Sequence, residues 1–284
     1  SPASLWRSDG TPAGTSRVFA SGGPDAGELA SLGAVALLSG ADGNGAELWK
    51  SDLSLTGTAL VRNLRPDFAG SFPSNLAAWS GRLFFSADGE DPASTPPTVG
   101  RELWTSDGAA GATLVRNINL DTFAKVESSS PADLVDAGTR LLFVATDPVF
   151  GRELWATEGV DLVTSLVKDV DAGTTTVGGI TLPNDGVRSP AWLARLGTSV
   201  LFAADDGTGL GRELWVTDGT GAGTVRVRDI NPGAASSFPS DLAAAGGAVW
   251  FLADDGVSIT LLDATQISAA KIFRGAAAGG GGGG

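Results

Sequence analysis

The sequence contains no cysteine, histidine, methionine or tyrosine. Each absence closes a class of chemistry. Without cysteine there are no disulfides and no thiolate nucleophile, and without histidine as well there is no Ser-His-Asp triad and no His-bearing zinc site. A sialidase-type tyrosine nucleophile is equally excluded. The absence of methionine means that residue 1 is not a translation start, and the chain opens inside a repeat, which reads as a processed form or a fragment. Positive charge is scarce, with 19 Lys and Arg against 32 Asp and Glu and a net charge of −13. A phosphate backbone or an anionic membrane would meet mostly repulsion, so nucleic acid is not an expected partner. No run approaches the roughly eighteen apolar residues of a membrane span, so membrane insertion is not expected either.

What the chain has in quantity is glycine, 41 residues, and a phrase written five times. GRELWVTDGTGAGT runs from Gly211 to Thr224, and its counterparts are SLWRSDGTPAGT from Ser4, AELWKSDLSLTGT from Ala46, GRELWTSDGAAGAT from Gly100 and GRELWATEGVDLVT from Gly151. Glu213, Trp215 and Thr217 alternate with Leu214, Val216 and Asp218, the period-two pattern of a strand. DGT then supplies a tight turn: Gly219 can take positive φ, and Asp218 can accept hydrogen bonds from unpaired turn amides. VRVRDI from Val225 is the returning strand.

The repeated tryptophans, Trp6, Trp49, Trp104, Trp155 and Trp215, are spaced by 43, 55, 51 and 60 residues. Periods near fifty suit four-stranded propeller blades. Between hairpins recur PSNLAAWSG, PADLVDAG and PSDLAAAGG, then RLFFSADG, RLLFVATD, SVLFAADDG and AVWFLADDG, read here as strands a and b ahead of the ELW strand c and the VRD strand d. The expected fold is all-β, a propeller of about six four-stranded blades forming one repeat domain over residues 1–275. In the last unit SITLLDA, from Ser258, stands in for strand c and AAKIFRG, from Ala269, for strand d. The N-terminal hairpin and the C-terminal segment share the closing blade, which protects open sheet edges. The Ala/Gly tail, 276–284, is read as residues of unassigned identity, as the closing strand lying beside Leu5 to Phe19, or as a linker.

The residues ELWxSDGTxxGT, with VRDINPGxxSSxPSxL and LFFxADDGxxGRELW, resemble the ELWxxDGT-repeat proteins of bacteria, over Ser4 to about Gly256. The resemblance implies a secreted or cell-surface β-propeller-like module and brings no catalytic residues with it. The chain departs from the pattern at Leu53, which replaces the turn glycine, at Glu158, which replaces the turn aspartate, and in the final copy, which has lost ELW.

In a four-stranded meander the b-c and d-a connections share one end, and the long connections all fall there. That face is the expected binding surface. The longest connection, Asp171 to Pro190, supplies Asp171, Asn184 and Asp185, and Trp192 just beyond it is the aromatic best placed to be exposed; these four are the candidate ligand-binding residues. The motif tryptophans could stack on sugars, but a tryptophan at one place in every repeat reads first as core between blades. The turns ADDG at Ala204 and Ala253 bring Asp205, Asp206, Asp254 and Asp255 together as candidate Ca²⁺ ligands, while turn chemistry alone also selects Asp-Gly. The Arg-Glu pairs at 101–102, 152–153 and 212–213 point to opposite faces of a strand and are expected to pair with neighbouring strands or blades.

The leading functional expectation is a non-catalytic binding or adhesion module, secreted or on the cell surface, for a glycan or protein ligand. A structural subunit of a larger extracellular assembly is the second reading. A carbohydrate-active hydrolase using two carboxylates is the third, without a supporting motif.

Overall fold

The computed structural model describes residues 4–18, 24–43, 45–54, 56–66, 70–90, 98–109, 111–120, 127–188, 191–257 and 272–275. Among them there is no helix, and hence none long and apolar enough to cross a membrane. The chain divides into two compact units, Ser1–Pro131 and Ala132–Gly284.

The first unit opens with the hairpin β1 (Trp6–Arg7) and β2 (Ser16–Arg17). Two four-stranded antiparallel sheets follow, each in simple sequential order. The first holds β3 (Asp25–Leu32), β4 (Val35–Asp42), β5 (Gly45–Ser51) and β6 (Ala59–Arg62), and the second β7 (Ser74–Trp79), β8 (Arg82–Glu90), β9 (Thr98–Ser106) and β10 (Thr113–Arg116). These are the a-b-c-d units read from the repeats. A core joins the two sheets, with Leu37, Leu48 and Val61 from one against Leu83, Phe85 and Trp104 from the other. Trp104 is the largest side chain buried there, its indole N–H donating to the Ala87 carbonyl at 3.0 Å. A β-carbon at Gly89 would lie 2.3 Å from that ring, so glycine there is a condition of the packing.

The second unit holds β11 (Ala132–Asp136), β12 (Arg140–Asp147), β13 (Gly151–Glu158) and β14 (Val163–Lys168) as one four-stranded sheet. The hairpin β15 (Thr174–Val177) and β16 (Ile180–Pro183) comes next, so the long d-a connection carries structure of its own. A further four-stranded sheet comprises β17 (Ala194–Leu196), β18 (Ser199–Ala204), β19 (Glu213–Thr217) and β20 (Val225–Arg228). The last sheet has three strands, β21 (Ser240–Ala245), β22 (Ala248–Leu252) and β23 (Ile272–Gly275). Here the sequence reading needs correction: the AAKIFRG segment, expected as strand d, pairs directly with β22 and so occupies the place of strand c. A free strand edge takes the partner that reaches it, and the ELW that would have competed is gone from this copy. SITLLDA and the 276–284 tail, with its expected place beside the N-terminal hairpin, lie outside the described residues.

The motif tryptophans divide by the sheets around them. Trp104, Trp155 and Trp215 are buried and Trp49 is half-buried, and Trp104 and Trp215 belong to cores shared by two sheets. Trp215 packs within 6.4 Å of Phe202, and Lys168 Nζ stands 5.7 Å from its centroid. Trp6 departs from the expectation: it is 59% exposed, because among the described residues β1 pairs only with β2 and no strand b covers it.

Candidate functional site

The end of the sheets that carries the b-c and d-a connections is fixed by the repeat glutamates. Glu47, Glu102, Glu153 and Glu213 are all buried at the start of strand c. Each reaches across to the chain leaving strand d and entering the next strand a. Glu213 accepts from the amides of Ile230 and Ser237, both at 2.8 Å, and from the Ser237 hydroxyl at 2.6 Å. Glu47 does the same with Leu64 and Ser71, and Glu102 with Ile118 and Ser129. In the fourth copy Gly186 replaces the serine, and Glu153 takes only amides, from Val170 at 3.1 Å, Gly186 at 2.7 Å and, more weakly, Asp171. Burial pushes the carboxyls of Glu47, Glu102 and Glu153 up while the donated hydrogen bonds pull them down. The balance leaves Glu102 at about 7. Glu153, without a hydroxyl donor and repelled by Asp169, stands at about 8. The glutamates therefore bind backbone, not the arginines beside them in sequence. Arg101 instead reaches Asp88 on the neighbouring strand, at 3.7 Å.

One residue earlier a second contact closes the same corner. Ser128 and Ser236 accept the amides of Arg101 and Arg212 at 2.9 and 2.8 Å, and Asp185 takes that place for Arg152 at 2.8 Å. Asp185, nominated from the sequence as a ligand contact, is thus engaged in holding the corner. Asp171 and Asn184 come together around Gly173: Asp171 Oδ1 accepts the Gly173 amide, Asn184 Nδ2 would lie 2.8 Å from a β-carbon there, and Asn184 Oδ1 accepts the Thr175 hydroxyl.

Trp192 stands elsewhere in the same unit, on the wall of a cleft. The PSxL phrase before each strand a places its third residue in a β-bulge with left-handed backbone: Asn75 at φ 55°, Asp133 at 55° and Asp241 at 54°. Trp192 occupies that position in the fourth copy, also at φ 55°. Asn and Asp tolerate this region because their short side chains bond locally, whereas a bulky residue there is an outlier. The residue remains 36% exposed. Phe238, at φ 46° and 65% exposed, is also left-handed, as is its counterpart Phe72 at φ 48° and 53% exposed. Trp192 and Phe238 line a cleft of about 440 Å³ with Arg188, Asp205, Arg212 and the Ser236 to Ser240 stretch.

The cleft lies on the end expected from strand polarity. Trp250, outside the motif, is more exposed still at 43%, but it does not line this cleft. The sequence reading named Trp192 and Asp205 and missed Phe238, Arg188 and Arg212. Two signals pointed to them: tryptophan where other copies carry Asn or Asp, and DGVRSP with two residues more than GSFP, SSSP or SSFP. Arg188 lies in that insertion. Arg212 Nη2 donates to the Arg188 carbonyl at 3.0 Å. Burial, and then repulsion from the Arg188 guanidinium, pushes the Arg212 pKa down, against the pull of Asp133 and Asp205.

The four candidate calcium ligands sit in two turns. Asp205 and Asp254 accept the amides of Gly207 and Gly256, at 3.0 and 2.8 Å. Asp206 accepts from Thr208 and lies 3.7 Å from Arg226, and Asp255 accepts from Val257. Among the described residues no three acidic side chains gather to hold a metal ion.

No family model and no curated protein matches the chain. Among solved structures it is similar to a chain of a nidogen/laminin complex at 10% identity, covering 85% of this chain and 76% of that one with a TM-score of 0.40. It is similar to an exo-β-1,3-galactanase from Clostridium thermocellum at 14% identity, over 88% of this chain and 58% of that one, with a TM-score of 0.38. Oligopeptidase B from Leishmania major matches at 10% identity with a TM-score of 0.49, over 87% of this chain and 33% of that one. The chain thus spans about a third of that peptidase and rather more than half of the galactanase. At these identities and scores no residue role or activity passes from them to this chain.

Proposed function

We propose that this protein is a non-catalytic binding or adhesion module, secreted or displayed on a bacterial cell surface, whose ligand, a glycan or a protein, is taken up in the Trp192 cleft. The carrying observation is the backbone of Trp192: a position that Asn or Asp fills in other copies holds instead an aromatic in left-handed conformation, on the wall of a cleft and 36% exposed. Backbone strain of this kind clusters at functional sites. Phe238 lines the same cleft, and a cleft of this volume with a few polar groups suits a small ligand or a protruding side chain. On this reading the sheets are blades of a propeller of about six, and the chain is an ELWxxDGT-repeat protein.

The test is binding of the whole chain to an array of neutral and acidic glycans and to extracellular matrix proteins, beside the Trp192→Asn variant. Asn75 holds the same backbone conformation, so this variant keeps the fold. Binding that the variant loses supports the reading. Binding that it retains in full moves the site away from the cleft. A constitutive higher assembly by light scattering, with no ligand on the array, favours the structural-subunit reading.

A further inference from the structure

The Trp192 cleft differs in charge from the chain around it. Two of its wall residues are arginines, in a protein with 19 basic against 32 acidic residues. Arg212 belongs to the repeat and, like its counterpart Arg101 at the Phe72 carbonyl, donates to a main-chain carbonyl, that of Arg188 at 3.0 Å. Arg188 has no counterpart, since it lies in the two-residue insertion, and it is exposed. The other copies make the same corner without the insertion, so the fold does not require Arg188.

We propose that the cleft receives an acidic saccharide, with a pyranose face on Trp192 or Phe238 and its carboxylate between Arg188 and Arg212. This rests on the binding-module reading and adds the ligand class. Guanidinium matches carboxylate as a planar two-pronged donor, and its hydrogen bonds to an anion are about twice as strong as neutral ones. Arg188 and Arg212 repel each other, and a negative group between them relieves that repulsion. Asp205, the one acid on the wall, is committed through Oδ1 to the Gly207 amide, which leaves Oδ2 to accept from sugar hydroxyls. The aromatic faces distinguish a saccharide from a free anion, because the apolar side of a pyranose stacks where an inorganic ion cannot.

The net charge of −13 opposes an anionic ligand at long range. At physiological salt the screening length is about 8 Å, so distant carboxylates slow the approach while the charges lining the cleft set the bound state.

The experiment is calorimetric and NMR titration of the whole chain with tetragalacturonate, its methyl ester and tetraglutamate. Tetragalacturonate is expected to bind, more weakly at high salt, with the ester about tenfold weaker and tetraglutamate weaker than either. Arg188→Ala weakens the acid by about tenfold and the ester by much less, so that the preference for the acid is lost. Trp192→Asn weakens both saccharides. Equal affinity for acid and ester overturns the acidic inference and leaves the binding module standing. Tetraglutamate binding as tightly as tetragalacturonate overturns the saccharide part. Failure of both saccharides to bind, or acid binding unmoved by either substitution, overturns the inference outright, while the module reading is judged on neutral glycans and protein ligands by its own array.

Discussion

The carboxylate of Glu213 holds Ser237 twice, accepting its amide at 2.8 Å and its hydroxyl at 2.6 Å, with no solvent reaching any of the three groups. One side chain at the start of strand c thereby ties the exit of strand d to the entry of the next strand a. Glu213→Ala removes the acceptor of the part-buried Ile230 amide and leaves the Ser237 amide and hydroxyl only the Arg212 carbonyl, at 3.1 and 3.4 Å. An unsatisfied group costs roughly 1–3 kcal/mol, so the expected loss is about 1–3 kcal/mol, read by urea denaturation of the purified variant. A loss below about 1 kcal/mol would show that the chain re-pairs these groups without the glutamate.

The same glutamates set a pH dependence. Glu102 at about 7 and Glu153 at about 8 have folded values above the unfolded value of 4.5. Between these limits the folded chain binds more protons than the unfolded one, so stability falls as pH rises. The contribution is complete below about pH 4.5 and is lost progressively up to pH 7 and 8. Denaturation midpoints are expected to be higher at the acidic end of this window than at the basic end. Glu153→Gln flattens the upper part of the curve. A stability that rises with pH across the window contradicts the assignment.

The turn aspartate and the second glycine of DGTxxGT depend on each other. Asp218 Oδ1 accepts from the Thr220 amide and hydroxyl at 2.8 and 2.7 Å, and a β-carbon on Gly223 would lie 2.1 Å from that oxygen. Asp9 with Gly14 and Asp52 with Gly57 repeat the arrangement. In the fourth copy, where Val163 stands in the place of the glycine, Glu158 replaces the aspartate and turns outward to Arg140 at 2.5 Å. Gly223→Ala and Asp218→Ala should each cost about 1 kcal/mol, and the double variant hardly more than one of them. Strict additivity in a double-mutant cycle would rule out the steric coupling.

Leu53 occupies the turn position held by Gly10, Gly108, Gly159 and Gly219, and shares their left-handed backbone at φ 69°. A non-glycine residue there costs about 1–2 kcal/mol, partly offset by the lower entropy of the unfolded chain. Leu53→Gly is expected to stabilise by about 0.5–1 kcal/mol, which a shift in the denaturation midpoint would register. Destabilisation would mean that the side chain contributes more by packing than its backbone costs.

Calcium is expected to leave the thermal midpoint unchanged at fixed ionic strength, because Asp205, Asp206, Asp254 and Asp255 each serve their own turn and, among the described residues, no three acidic groups gather to hold a metal ion. A rise in the midpoint that a chelator reverses would restore a metal to these turns.

The sequence by itself determined the repeating unit. Alternation along ELWVT, the DGT turn and the returning VRVR are local signals, and the four-stranded sheets follow them, with every hairpin of strands c and d where the phrase placed it. It also singled out Trp192, by position alone. Only the tertiary structure decided the rest, because burial depends on which sheet lies opposite and not on the strand that carries the residue. Trp6 and Trp104 share one motif, yet the first is exposed and the second buried, since only the second has a complete sheet around it and another against it. Period-two geometry separates Glu213 from Arg212 in the sequence already, but only the fold decides what each meets: Glu213 finds backbone amides and Arg212 lines the cleft. That cleft is assembled from stretches as far apart as Arg188 and Ser240, and a separation of that kind is closed only by folding.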